Sequence, residues 1–242
     1  MKEKDLAVKE EEQAGRVEFS DFLEQERTEA IGAIVLIVAK ESSPEDPVIW
    51  LLRENETRFS TGKRVNDISV VFETRKIDED PEDNIRGGMA EVLNDADLDQ
   101  YTDSLFLIKG LSHRVLPAFK NGLSADLLLL GFSGSTESTR FTPVNGEVSP
   151  YGWRSISDLP VLGESIRPEL TRLLECEDYS VKPLVSDFVK KANTESSDVF
   201  YLSRTTMFPN GFSMVKFHDD REEKPNVASS RFCAEQTVFI SR

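Results

Sequence analysis

The stretch Glu82-Asp-Asn-Ile-Arg-Gly-Gly-Met-Ala-Glu-Val-Leu-Asn-Asp-Ala-Asp-Leu98 decides how this chain is read. Its periodicity predicts a helix over 81–96. Asp80 is placed to cap that helix, and Pro81 suits its first position, where no amide hydrogen is needed. Ile85, Met89, Val92 and Ala96 recur at helical spacing and form the expected buried stripe. Glu91 and Asp95 stand four apart, so on a continuous helix they share another face. Gly87 and Gly88 together cost roughly 2 kcal/mol of helix propensity relative to two alanines. A sequence that keeps such a pair points to close backbone packing there.

These residues resemble the Nudix box, which runs Gly, five residues, Glu, seven residues, Arg-Glu, an aliphatic, any residue, Glu-Glu, any residue, Gly, an aliphatic. With Glu82 on the first glutamate, Ala90-Glu91 falls on Arg-Glu, Val92 on the first aliphatic, Asn94-Asp95 on the Glu-Glu pair and Leu98 on the last aliphatic. Lys76, Ala90, Asn94 and Asp97 depart from the pattern. A register with Glu79 on the first glutamate sets Gly87-Gly88 on Arg-Glu and fits less well. The context also resembles the family. Ala33–Val38 and Val48–Arg53 are similar to its opening strand pair, and Asp67–Glu73 to the strand that leads into the box. Asn145-Gly-Glu-Val148 and Gly152–Pro160 are similar to a late segment in which a glutamate precedes a tryptophan strand and a short helix.

The resemblance implies a Nudix-like α/β/α sandwich around a mixed sheet. It also implies cleavage of a diphosphate linkage in a nucleoside diphosphate derivative, assisted by magnesium (or manganese). Pyrophosphate chemistry of this kind needs a hard cation held by carboxylate oxygens. Glu91 and Asp95 are the expected catalytic residues, and Glu82, Glu91, Asp95 and Glu147 the expected metal ligands. From spacing alone, the same acids read as solvated surface. Arg53, Arg58, Lys63 and Arg64 cluster at a strand end and its loop; of these, Arg53 and Arg64 are the expected contacts to ligand phosphates. The loss of the box arginine at Ala90 and of a glutamate at Asn94 motivates an alternative: an impaired domain that binds a nucleotide or a protein partner without hydrolysis.

Composition narrows the classes. The formal charge is −15, from 44 acidic and 29 basic residues, so general binding to nucleic-acid backbones is disfavoured. Hydrophobic residues make up 38% of 242, enough for a core. The longest apolar run, Ala33 to Ala39, is too short to cross a bilayer, so no membrane partner is expected. Cys176 and Cys233 form no disulfide framework or metal motif. A cytoplasmic protein is the expectation, with a small nucleotide-type ligand as partner and a homodimer left open.

Three parts are expected along the chain: a flexible acidic N-terminus (1–16), a Nudix-like domain (17–175), and a C-terminal extension (176–242), helical at first and then β-rich. Within them, a short helix is expected at 17–29, strands at 30–39, 48–53, 67–72, 104–109, 125–132 and 148–156, and helices at 166–174 and 181–191. Residues 113–121 read as turn or loop. Strands are expected at 198–202, 212–217 and 237–240, and the aromatics Phe200, Tyr201, Phe208 and Phe212 are candidates for an assembly surface. His113 and His218 show no partner pattern. Trp153 reads as core.

Overall fold

The computed structural model describes residues 16–18, 22, 30–58, 63–75, 79–117, 124–144, 146–175, 181–194, 197–202 and 213–215. The strands are β1 (Arg16–Glu18), β2 (Ala30–Ala39), β3 (Val48–Glu54), β4 (Ile68–Ser69) and β5 (Val71–Thr74). Helices α1 (Pro81–Val92) and α2 (Asp95–Tyr101) follow, then a 3₁₀ helix (Thr102–Ser104), β6 (Leu105–Ile108), β7 (His113–Leu116), β8 (Ser124–Phe132) and β9 (Val148–Ser155). A 3₁₀ helix (Ile156–Val161), α3 (Pro168–Glu175), α4 (Val181–Ala192), β10 (Val199–Leu202) and β11 (Ser213–Val215) complete the described elements. None of the described helices is long and apolar enough to cross a membrane.

The sheet is organised on β2 and β8, which run parallel with Ile34 beside Leu127 and Ala39 beside Phe132. Every other strand pairing described is antiparallel. The path runs β1-β11-β10-β6-β8-β2-β3-β4, with β5 also on β2, β7 on β8 and β9 on β3. Both central strands are apolar on both sides, the pattern of strands covered on two faces. Alternate residues feed different cores. Ala33, Val35, Ile37 and Ala39 join Leu128, Leu130 and Phe132 on one face, where α1 adds Ile85, Met89 and Val92. Ile34, Leu36 and Val38 join Leu127 and Leu129 on the other, where α3 and α4 add Leu170, Leu173, Val185 and Phe188. The expected α/β/α sandwich around a mixed sheet is therefore present.

Aromatic rings close one end of the first core. Trp50 meets Trp153 edge-on at 5.4 Å between centroids, and Phe132 stacks on Trp153 at 5.5 Å. On the second face, Phe106 lies over Gly131, its cross-strand partner, where a β-carbon would come within 2.2 Å of the ring. Phe106 also stacks on Phe188 of α4 at 5.8 Å. The segment after residue 175 thus supplies α4 to the second core, and β10 pairs with β6 in the same sheet.

Several local expectations differ from the structure. The single helix expected over 81–96 is two helices. Leu93 is extended (φ −116°, ψ 110°), and Ala96 is exposed instead of joining the stripe. Residues 67–72 do not form one strand: Ile68–Ser69 pairs with β3, and Val71–Thr74 crosses to β2. Residues 113–116 are a strand, β7, where a turn was expected. Arg16–Glu18 is a strand that overlaps the start of the expected helix 17–29. Phe200 is buried against Phe22 at 5.2 Å, so it is not part of an assembly surface. Phe208, Phe212 and residues 237–240 lie outside the described residues.

The glycine pair in α1 divides its work. A β-carbon at position 88 would lie 3.1 Å from Val35 Cγ2 and 3.3 Å from Val71 Cγ1, whereas one at position 87 meets only Glu73 Cγ at 3.9 Å. Gly88 is thus where the helix settles on β2 and β5. Gly87→Ala is expected to stabilise the chain by up to about 1 kcal/mol through helix propensity. Gly88→Val, which forces the helix off the sheet, is expected to destabilise it by about 2 kcal/mol. Thermal unfolding followed by circular dichroism checks both, and equal effects would contradict this division.

Candidate functional site

The close seating of α1 brings two glutamates together. Glu73 sits on β5, on the same face as Val71, and its stem passes beside Gly87 and Gly88. One turn further along α1 is Glu91, whose side chain is hydrogen-bonded to Glu73. Two carboxylates can share a hydrogen bond only if one of them carries a proton. The Glu91 carboxyl is accordingly pushed up to about 7, first by burial and then by the negative charge of Glu73, with a lesser push from Glu147. Lys63 acts in the opposite direction.

Glu147, in the loop before β9, is placed by backbone contacts: its carbonyl accepts from Asn55 N at 2.8 Å, while Asn55 Nδ2 donates to Gly146 O at 3.0 Å. Its carboxylate receives two cations, Lys63 Nζ at 3.1 Å and the Arg58 guanidinium. Burial pulls the Glu147 carboxyl upward, but Lys63 and Arg58 together outweigh it and hold the group below the usual carboxylate range. Lys63 also contacts Glu54 Oε2 at 3.1 Å, and Glu54 Oε1 receives Arg167 Nη1 at 3.1 Å. Glu54, Glu73, Glu91 and Glu147 thus belong to one acidic cluster threaded by basic side chains.

The sequence-derived candidates are distributed as follows. Glu91 and Glu147 are in the cluster. Glu82 precedes Glu91 by nine residues of α1, about 13 Å of helical rise, and its carboxylate is taken by Arg86 one turn on. Asp95 begins α2, beyond the break at Leu93, so the helical face that Glu91 and Asp95 were expected to share does not form. Its side chain lies outside the described part. Arg53 points to the opposite face of β3 from Glu54, as strand alternation requires. There it bonds Glu164 Oε2 at 2.6 Å and lies over the Tyr151 ring at 5.0 Å. Tyr151 is the extra residue of a β-bulge opposite Leu51 and Leu52, which turns its ring outward toward Arg53. Arg64 is exposed on the loop that follows Lys63.

Two features escaped the sequence reading. Glu73 was visible only as a strand end; a carboxylate two residues past buried Val71 on the helix-facing side is the signal that marks it. His113 does have a partner: its Nε2 lies 2.8 Å from Asp126 Oδ1, and both residues are almost fully buried, at 1% and 0% exposure. His113-Arg-Val-Leu116 pairs in register with Ala125-Asp-Leu-Leu128, and that pairing could not be inferred from thirteen residues of separation alone.

The box departures explain the helix break. Asn94 Oδ1 accepts from Asp97 N at 2.7 Å, the bond of an N-cap, so Asn94 starts a new helix where the box pattern has a glutamate. Asp97, in place of the last glycine, accepts from Thr142 N at 2.5 Å and ties α2 to the segment after β8. A divalent cation does not fit this arrangement. Of the four expected ligands, Glu82 holds Arg86, Glu147 holds Arg58 and Lys63, and Glu91 and Asp95 are separated by the break between the two helices. Among the described residues, no three acidic, histidine or cysteine side chains converge as a metal ion requires.

No family model and no curated protein matches the chain. Among solved structures it is similar to an Ap4A hydrolase of C. elegans (13% identity, 65% of this chain and 95% of that one, TM-score 0.36). It is also similar to a Nudix hydrolase of M. smegmatis, RenU (8% identity, 59% and 78%, TM-score 0.36). A MutT/nudix family protein of Enterococcus faecalis is similar as well (10% identity, 80% and 88%, TM-score 0.33). Two of the three carry the name of the family whose box the sequence resembles. At such scores the likeness transfers no chemistry; what this chain does must follow from its own side chains.

The shared proton has a consequence for stability. A carboxyl whose folded-state value lies above its ordinary 4.5 favours folding while protonated; that contribution is complete below 4.5 and is lost as pH rises through about 7. Glu91→Gln keeps a donor for Glu73 without the charge. It is expected to raise the melting temperature at pH 8 by roughly 5 °C and to leave it near wild type at pH 4.5. Melts across that pH range check this, and a pH-independent difference would contradict the shared proton.

Proposed function

We propose that this chain is a Nudix-like binding domain, which holds a nucleotide-type ligand without metal-assisted hydrolysis of it. The single observation that carries the reading is the end of α1 at Val92, with Leu93 extended and Asn94 capping a second helix. Hydrolysis of a diphosphate would need carboxylates held rigidly, within a fraction of an ångström of the geometry a hard cation demands. Here the element is interrupted between Glu91 and Asp95, and Glu82 is engaged by Arg86. The ligand class comes from the box resemblance and the order of strands around it.

Titration calorimetry with a panel of nucleoside diphosphate derivatives, with and without magnesium, tests the proposal when paired with chromatography of the products. The expected outcome is saturable binding by at least one compound, equal affinity in both buffers, and intact ligand at the end. Magnesium-dependent turnover by folded protein would overturn it.

A further inference from the structure

Lys63 and Arg58 face each other in an antiparallel bridge. Lys63 N donates to Arg58 O at 3.2 Å and Arg58 N to Lys63 O at 2.9 Å, and both side chains reach Glu147. The Lys63 side chain is only 10% exposed, and its ammonium bridges Glu54 and Glu147 at 3.1 Å each. Glu54 is more deeply buried still, at 1%, with its other oxygen on Arg167. Burying an ammonium costs much of its hydration and is tolerated only where anions replace the lost water. The fold accepts that cost between Glu54 and Glu147, and the Lys63 charge reaches Glu91 as well.

We propose that Lys63 is a tethered counter-ion standing in for a divalent cation in this cluster, so that the chain keeps its glutamates together without metal and binds neither magnesium nor manganese there. A lysine ammonium offers three directed protons and a single charge, against the two charges and octahedral demand of a magnesium ion. Arg58 on Glu147 and Arg167 on Glu54 supply the remaining positive charge. The cluster then acts as a permanent clasp: Glu54 at the end of β3, Lys63 in the loop beyond it and Glu147 before β9 are fastened at every metal concentration. The inference goes beyond the binding reading, which rests on the broken helix, and holds whether or not a nucleotide binds.

The test contains no nucleotide, so its failure is distinct from failure of that reading. Metal-free full chain is titrated with manganese, with free ion followed by electron paramagnetic resonance, and melted with and without magnesium or manganese. The expected result for wild type and for Lys63→Arg is no saturable manganese site and an unmoved melting temperature. Lys63→Met, which leaves Glu54 and Glu147 facing each other, is expected to melt lower and to regain several degrees when manganese is added. A saturable one-to-one manganese site in wild type that disappears in Glu147→Gln would overturn the proposal. So would a folded Lys63→Met protein as indifferent to metal as wild type. Should Lys63→Met fail to fold, the wild-type titration still decides.

Discussion

The seating of α1 on β2 and β5 at Gly88 is the contact on which the rest of this face depends. Without a side chain at that position, the helix backbone comes within van der Waals reach of Val35 and Val71. That approach buries Ile85, Met89 and Val92 in the first core. It also brings Glu91 toward Glu73, and burial together with the Glu73 charge pushes the Glu91 carboxyl up. The apolar packing and the acidic chemistry are thus consequences of one close approach.

From that pair outward, charge is balanced locally. In a chain whose acids outnumber its bases by 15, Lys63, Arg58 and Arg167 all reach the glutamates beside the site. Arg86 attends to Glu82 in the same manner. In a partly buried setting such pairing keeps like charges from forcing the strand ends apart. It also removes those carboxylates from the set that could hold a hard cation. The same side chains that make the cluster stable make it unreceptive to metal.

The framework was legible because its signals are long and redundant. The apolar runs of β2 and β8 and the periodic stripe of α4 need no tertiary knowledge, and the cap at Asp80 with Pro81 behind it was readable residue by residue. The break after Val92 was missed because the box spacing was laid over the helix. Asn94 followed three residues later by Asp97 was a capping signal in plain view, and it lost to the longer pattern. Lys63 was noticed, but as a loop cation for a ligand phosphate; its bond to Glu147 spans 84 residues, and no local pattern encodes a partner at that distance. The proximity of Arg53 to Lys63 and Arg64 in sequence hides the alternation that sends it to the other face of β3. Short β7, with a histidine and an arginine among its four residues, has too little periodicity to be told from a loop.

The central claim concerns occupancy: a lysine nitrogen, and not a metal ion, sits between Glu54 and Glu147. Crystals soaked in manganese and measured at its absorption edge test that claim directly. The account requires no anomalous peak near Glu91 or Glu147, with Lys63 Nζ lying between Glu54 and Glu147. A strong peak coordinated by Glu91, with Lys63 swung out toward solvent, would contradict it.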